Sequence, residues 1–234
     1  MIETAVILAG GLGTRLRSVV ADLPKPMAPV NGKPFLASLM EYWLSQGVKH
    51  FVLSVGYKYQ TMVDYFGTSF NGADIDYVVE TTPLGTGGGL LLANQKLASD
   101  SSFLLLNGDT YFAVDAKKLC DFADRVDADW CFSLFKTSEV GRYLGMEVNK
   151  QGEILSLRSN DQSGERLANG GVYVVNPRSL SALDIPLGQR ISLEDEIFPF
   201  LLSKGQNIFG LAFDSKFIDI GVPQDYQRAA ELIA

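Results

Sequence analysis

Histidine occurs once in these 234 residues and cysteine twice, which leaves little of what thiolate metal centres or imidazole catalysis require. His50 lies in "VKHFVLSV" at the start of an expected strand and reads as an ordinary strand-end residue, so any chemistry must run without imidazole. Cys120 and Cys131 lack zinc-site spacing and have no histidine cluster to join, so they read as reduced thiols of a cytoplasmic protein. No apolar run approaches the ~18 residues a membrane helix needs, and Met1-Ile2-Glu3 has neither the basic stretch nor the cleavage site of a secretory signal. A basic excess is also missing. The 27 acidic residues outnumber the 20 Lys and Arg, for a formal net charge of −7, which argues against a nucleic-acid surface. A phosphate ligand remains allowed, because a few placed cations and backbone N–H groups set a site's local field.

What is present is an alternating pattern in a chain of one-domain length, with 47% hydrophobic residues. "TAVILA" (Thr4–Ala9) is a continuous apolar run that suits a strand buried on both faces. "PFLASLMEYWLSQG" places Phe35, Leu36, Leu39, Met40, Trp43 and Leu44 on one helical face between Pro34 and Gly47. Strands at Phe51–Val55, Ile75–Val79 and Ser102–Leu106, with helices at Tyr59–Phe66 and near Gly88–Leu97, continue the βαβ rhythm of a mostly parallel sheet. In such sheets ligands sit beyond the carboxyl ends of the strands, where strand order reverses. From about Asp129 the segments "DWCFSLF", "GMEVN", "EILSLR" and "GGVYVV" are strand-like with short connections, as in a mixed or antiparallel portion laid against the first half. Helical patterns resume at Ser192–Lys204 and Pro223–Ile233. The expectation is one domain of two lobes, about 1–128 and 129–234.

The glycine loop "VILAGGLGTRL" fits neither common template. A dinucleotide fingerprint needs a third glycine where Leu16 stands, and a Walker loop needs a lysine after Gly13. A plain structural turn explains the glycines but not Arg15 and, ten residues on, Lys25 between Pro24 and Pro26. A backbone cradle for polyphosphate explains all of them. Glycines let N–H groups approach anionic oxygens, Arg15 offers a fork of donors, and the two prolines stiffen the chain around Lys25. Two cations beside such a cradle suit a reaction that builds charge on phosphorus and on a departing phosphate. "LNGDTYF" puts Asp109 after a strand through Asn107-Gly108, and "KFIDIGVPQDY" puts Asp219 after another apolar stretch. Either aspartate alone would be a turn residue; together with the cradle they point to magnesium, which takes oxygen ligands from one or two carboxylates and from substrate phosphates.

In order along the chain, "GGLGTRL" with "PKPM", "PLGTGGGL", "NGDTYF", "NGGVYVV" and "IDIGVPQDY" resemble the sugar-1-phosphate nucleotidyltransferase family over nearly the whole length. Within it, "LPKPMAPVNGKPF" and "FIDIGVPQDY" are most similar to the D-glycero-alpha-D-manno-heptose 1-phosphate guanylyltransferases. The resemblance implies an α/β fold of the nucleotide-diphospho-sugar transferase type: a Rossmann-like, mostly parallel central sheet with flanking helices and a smaller mixed sugar-binding portion. It implies GTP and a sugar 1-phosphate as substrates, pyrophosphate and a nucleotide sugar for bacterial surface polysaccharide as products, and Mg2+ as cofactor. No nucleic-acid or membrane partner is implied, and a homo-oligomer is compatible with it. Leu8, Ala9, Gly10, Gly11, Gly13 and Thr14 would hold the nucleotide with Asn107 and Gly108, and Arg15 its triphosphate. Lys25 would sit near the attacked phosphorus, with Arg15 and Asp109 completing the catalytic set. Glu80, Gly85 and Thr86 would approach the base, Asp109 and Asp219 would hold the metal, and Tyr143, Asn169 and Gly170 would line the sugar pocket.

Two positions depart from the family pattern. Ser159-Asn160 stand where many relatives carry a Glu-Lys pair whose lysine contacts the sugar phosphate, and Leu144 stands where glycine usually follows the tyrosine. Arg158 or Arg166 could supply the absent cation. Ser192 with Asp195 reads first as a helix cap, and second as a frame for Glu194 to bind a sugar hydroxyl. Glu80 favours guanine, because a carboxylate only accepts hydrogen bonds and guanine's N1–H and N2–H₂ edge only donates. The rival readings are a mannose 1-phosphate guanylyltransferase, a uridylyltransferase acting on an amino-sugar phosphate, and a catalytically silent homologue that senses nucleotide sugars.

Overall fold

The computed structural model describes every residue except 1, 12, 14, 15, 17–19, 21, 99, 100, 140, 141, 144, 159–165 and 234. β1 (Thr4–Ala9) runs through the middle of the sheet. Its apolar run is buried on both faces as expected: Ala5, Ile7 and Ala9 join one core cluster and Val6 another. A hairpin of β2 (Pro29–Val30) and β3 (Lys33–Pro34) feeds α1 (Phe35–Ser45). This helix buries Phe35, Leu36, Leu39, Met40 and Trp43; Trp43 is fully enclosed beside Ile7 and Leu53 in the first cluster. Gly47 follows the helix at φ 97° and turns the chain into the next strand.

That strand is β4 (His50–Val55), followed by α2 (Gln60–Phe66), β5 (Ser69–Phe70), β6 (Ala73–Val79), α3 (Gly85–Ala93) and β7 (Phe103–Asn107). β4 lies parallel to β1 on one side and β7 parallel to it on the other, with β6 beyond β4. Cys120 and Cys131 are buried free thiols, in keeping with the sequence reading.

The second half contributes β8 (Thr110–Phe112), α4 (Ala116–Arg125), β9 (Trp130–Thr137), β10 (Gly145–Val148), β11 (Ile154–Ser156) and β12 (Arg166–Val175). Then come α5 (Pro177–Ser181), a π-turn over Leu193–Ile197, α6 (Phe198–Ser203), β13 (Ile208–Ala212), β14 (Phe217–Asp219) and α7 (Pro223–Leu232). The mixed portion is joined edge to edge with the first half rather than laid on it: β12 pairs antiparallel with β7, continuing one sheet. The helical pattern expected from Ser192 to Lys204 opens as the π-turn, because Ile197 N–H reaches back to Ser192 C=O (3.0 Å).

A third, smaller core ties the ends of the chain together. Ile218 and Ile220 around Asp219, with Ala229 and Ile233 around α7, pack on Leu16, Ala28, Val30 and Phe35. The same packing anchors the segment that carries Lys25.

Candidate active site

β1 is where the sheet's strand order reverses, since its neighbours β4 and β7 lie on opposite sides. The crevice that must open beyond such strand ends is a ready ligand site. A cleft of about 510 Å³ occupies it. Leu8, Ala9, Gly10, Gly11 and Gly13 line the cleft as the chain leaves β1, and Asn107, Gly108 and Asp109 as it leaves β7. The two exits are stitched together by Gly108 N–H donating to Leu8 C=O at 2.9 Å. Glu80, Gly85 and Thr86 line the same cleft, as do Lys25 and Asp219. Thr14 and Arg15 lie outside the described residues.

Lys25 opens a three-residue 3₁₀ turn, Lys25–Met27, with Pro24 before it and Pro26 inside it. The residue is 8% exposed, so its direction is set by packing. Its Nζ lies 2.6 Å from Asp109 Oδ2 and 3.5 Å from Asp219 Oδ1. The two carboxylates meet for a reason that sequence alone does not reveal. β14 pairs antiparallel with β8 in a separate two-stranded ribbon, with Asp219 opposite Thr110, and Ile220 N–H donates to Asp109 C=O at 3.0 Å. Asp219 Oδ1 also accepts from Gly221 N–H at 2.6 Å.

The charge balance of the cleft constrains its ligand. Among the described residues, Lys25 and Arg190 face Glu80, Asp109, Glu194 and Asp219, an excess of two carboxylates over cations. A polyphosphate is repelled by that wall unless cations accompany it.

Glu80 lines the cleft with its carboxylate held by two donors. Ser54 Oγ donates to its Oε1 (3.1 Å) and Leu84 N–H to its Oε2 (3.0 Å). A β-carbon on Gly10 would come within 2.1 Å of Oε1, so the carboxylate rests directly on the glycine backbone. Two donors leave part of a carboxylate's roughly four lone-pair sites free.

Tyr143 lines a second pocket of about 250 Å³, which shares Asp219 with the main cleft. The Arg142 guanidinium lies over the Tyr143 ring, 4.9 Å from its centroid, and pairs with the buried Asp225. Burial pushes the Tyr143 phenol up to about 12, only partly offset by Arg142, so it stays protonated and able to donate at neutral pH. Asn169 and Gly170 lie in β12 and are not among the residues lining either pocket. The Asn169 amide donates to Tyr173 Oη (2.8 Å) and accepts from Gly171 N–H (3.0 Å).

Arg158 has a side chain 71% exposed and pairs with Asp195 at 3.5 Å. Arg166 donates to Glu139 C=O at 2.7 Å. Neither lines the cleft. The departure positions Leu144, Ser159 and Asn160 fall outside the described residues. Among the described arginines it is Arg190 that lines the cleft, in the irregular segment "PLGQRI", where no periodicity or motif marks it. Ser192 caps the turn that follows, accepting from Asp195 N–H at 3.1 Å, and its own N–H donates to Glu196 Oε2 at 2.8 Å. Glu194, between them, also lines the cleft.

D-glycero-alpha-D-manno-heptose 1-phosphate guanylyltransferase from Aneurinibacillus thermoaerophilus is 38% identical over 227 residues, covering 96% of each chain. The protein of the same description from Campylobacter jejuni subsp. jejuni is 38% identical over 95% of this chain and 96% of its own. The crystal structure of HddC from Yersinia pseudotuberculosis complexed with GMP-PN superposes with a TM-score of 0.84 at 35% identity, covering 98% of this chain and 99% of that one. No helix among the described residues is long and apolar enough to cross a membrane. The nucleotidyl transferase model matches residues 4–234, and the chain belongs to the nucleotidyl transferase family.

Proposed function

We propose that this protein transfers the guanylyl group of GTP to D-glycero-alpha-D-manno-heptose 1-phosphate, releasing pyrophosphate and forming GDP-heptose. The observation that carries the reading is the Lys25–Asp109–Asp219 cluster at the mouth of a glycine-lined cleft. The relatives of matching length described as heptose 1-phosphate guanylyltransferases support the choice of substrates.

An oxygen of the sugar phosphate attacks the α-phosphorus of GTP, and the bond to the pyrophosphate oxygen breaks. The nucleophile is already an anion, so no side chain has to remove a proton. That suits a site with no histidine in its lining. Positioning and charge stabilisation supply the acceleration. Lys25 is assigned to the reacting phosphate, Arg15 to the triphosphate, and the glycine wall to contacts through backbone N–H groups.

Two carboxylates meeting at one end of the cleft fit a hard divalent ion that takes its remaining ligands from phosphates and water. We assign Asp109 and Asp219 to Mg2+, which when bound neutralises charge on the phosphate oxygens. Arg190 is assigned to the sugar phosphate, in place of the cation that the sequence placed at Arg158 or Arg166. Tyr143 keeps its assignment to the sugar side, while Asn169 and Gly170, which line neither pocket, are left to shape β12 behind it.

Base choice rests on Glu80. In competition, the wild type is expected to consume GTP in preference to UTP, and Glu80→Gln to narrow that preference by about tenfold. A glutamine amide presents a donor to the guanine edge, and a hydrogen bond to a charged group is worth about 1.5–3 kcal/mol. A wild type that prefers UTP contradicts the guanine assignment.

A further inference from the structure

The glycine run Gly85–Gly89 opens α3, and the N–H groups at a helix start are usually free to hold an anion. Here two of them are taken by protein. Gly87 and Gly88 N–H both donate to Ile191 C=O, at 3.0 and 3.3 Å, and Ile191 N–H returns a bond to Leu84 C=O at 2.9 Å. The contact needs glycine: a β-carbon on Gly88 would lie 2.7 Å from Gln189 C=O. Thr86 closes the same junction. Its hydroxyl accepts from Leu193 N–H (2.9 Å) and donates its single proton to Glu194 Oε2 (2.8 Å). The segment 189–194 is therefore pinned at Ile191 and Leu193, while Arg190 and Glu194 line the cleft.

We propose that the Gly85–Gly89 run is a clasp for this segment and that Thr86 is a positioning residue for the sugar phosphate rather than a contact to the base. The inference rests on the assignment of Arg190 to the sugar phosphate made above. Glu194 Oε2 accepts from the Thr86 hydroxyl and lies 3.2 Å from that of Ser192, so the Thr86 side chain fixes both ends of the Leu193-Glu194 pair that follows Arg190. Without the Thr86 hydroxyl Leu193 N–H loses its acceptor and Glu194 a donor, which frees the segment that sets the Arg190 guanidinium.

Steady-state kinetics on Thr86→Val, together with calorimetric titration of GTP in the absence of sugar phosphate, tests the clasp. Valine keeps the branched shape of threonine and puts a methyl group in place of the hydroxyl. KM for the sugar phosphate is expected to rise about tenfold, with GTP affinity unchanged within about twofold. Thr86→Ser is expected to restore KM. Adding Thr86→Val to Arg190→Ala is expected to raise KM no further than Arg190→Ala alone, because both act through one guanidinium. If Thr86→Val melts poorly, Thr86→Ala provides the same comparison. A fall in GTP affinity, or an unchanged KM for the sugar phosphate, overturns the proposal. The wild type's preferred sugar phosphate is determined first and used throughout. Rejection of heptose 1-phosphate then counts against the substrate reading alone, and the Thr86 comparison counts for or against the clasp alone.

Discussion

Asp109→Asn and Asp219→Asn are each expected to lower kcat by about 10²–10³-fold while the protein still melts cooperatively. Each substitution removes one negative charge and keeps the shape of the side chain. Asp109 and Asp219 are partly open to the cleft, with side chains 38% and 28% exposed, so neither is an element of the core. Their backbones are fixed independently by the β8–β14 ribbon and by the bond from Ile220 N–H to Asp109 C=O. What is lost is the charge that draws a divalent ion to the triphosphate. Raising magnesium is expected to recover part of the rate. Near-normal rates for both variants at low magnesium contradict the metal assignment.

Lys25→Met carries the second large effect, a fall of about 10²–10³ in kcat with a smaller change in KM for either substrate. The methionine stem fills the space of a side chain that is largely enclosed, so the cost falls on charge rather than packing. In the free protein the ammonium separates two carboxylates, at 2.6 and 3.5 Å. Removing it leaves like charges facing each other. The variant is therefore expected to melt below the wild type in chelator, and magnesium is expected to raise its melting temperature by more than it raises the wild type's. A loss confined to KM for the sugar phosphate contradicts the placement of Lys25 beside the reacting phosphorus.

Local signals carried the sequence reading furthest where a strand meets its loop. β1 matched its expected limits because a run buried on both faces has no alternating pattern to blur them. The glycines after β1 and the Asn107-Gly108-Asp109 exit from β7 could be named because each follows its strand directly. The pairing that brings Asp219 to Asp109 was not legible. It depends on the register of a three-residue strand, Phe217–Asp219, against another, Thr110–Phe112, and segments that short carry no periodicity. Arg190 was missed for a similar reason: bonds from Leu84, Gly87 and Gly88 position its segment across about a hundred residues of chain. α4 is a different case. Ala116, Leu119, Cys120 and Ala123 form its buried face behind the Asp115 cap, whose side chain accepts from Lys118 N–H, and that pattern was present in the sequence. A reading that follows apolar runs passes over it because its mean character is polar. The motif "PLGTGGGL" marked a ligand loop, and its glycines also seat a neighbouring segment, a contact that the motif itself does not announce.

The measurement that bears most directly on the central claim is pyrophosphate release by the purified protein with magnesium and each of GTP, ATP, CTP and UTP against a panel of sugar 1-phosphates. The panel includes D-glycero-alpha-D-manno-heptose 1-phosphate, mannose 1-phosphate and an amino-sugar 1-phosphate. The expected result is release that requires both substrates, is fastest with GTP and the heptose phosphate, and is abolished by chelator. No release with any pair, or a clear preference for another nucleotide or sugar phosphate, contradicts the account.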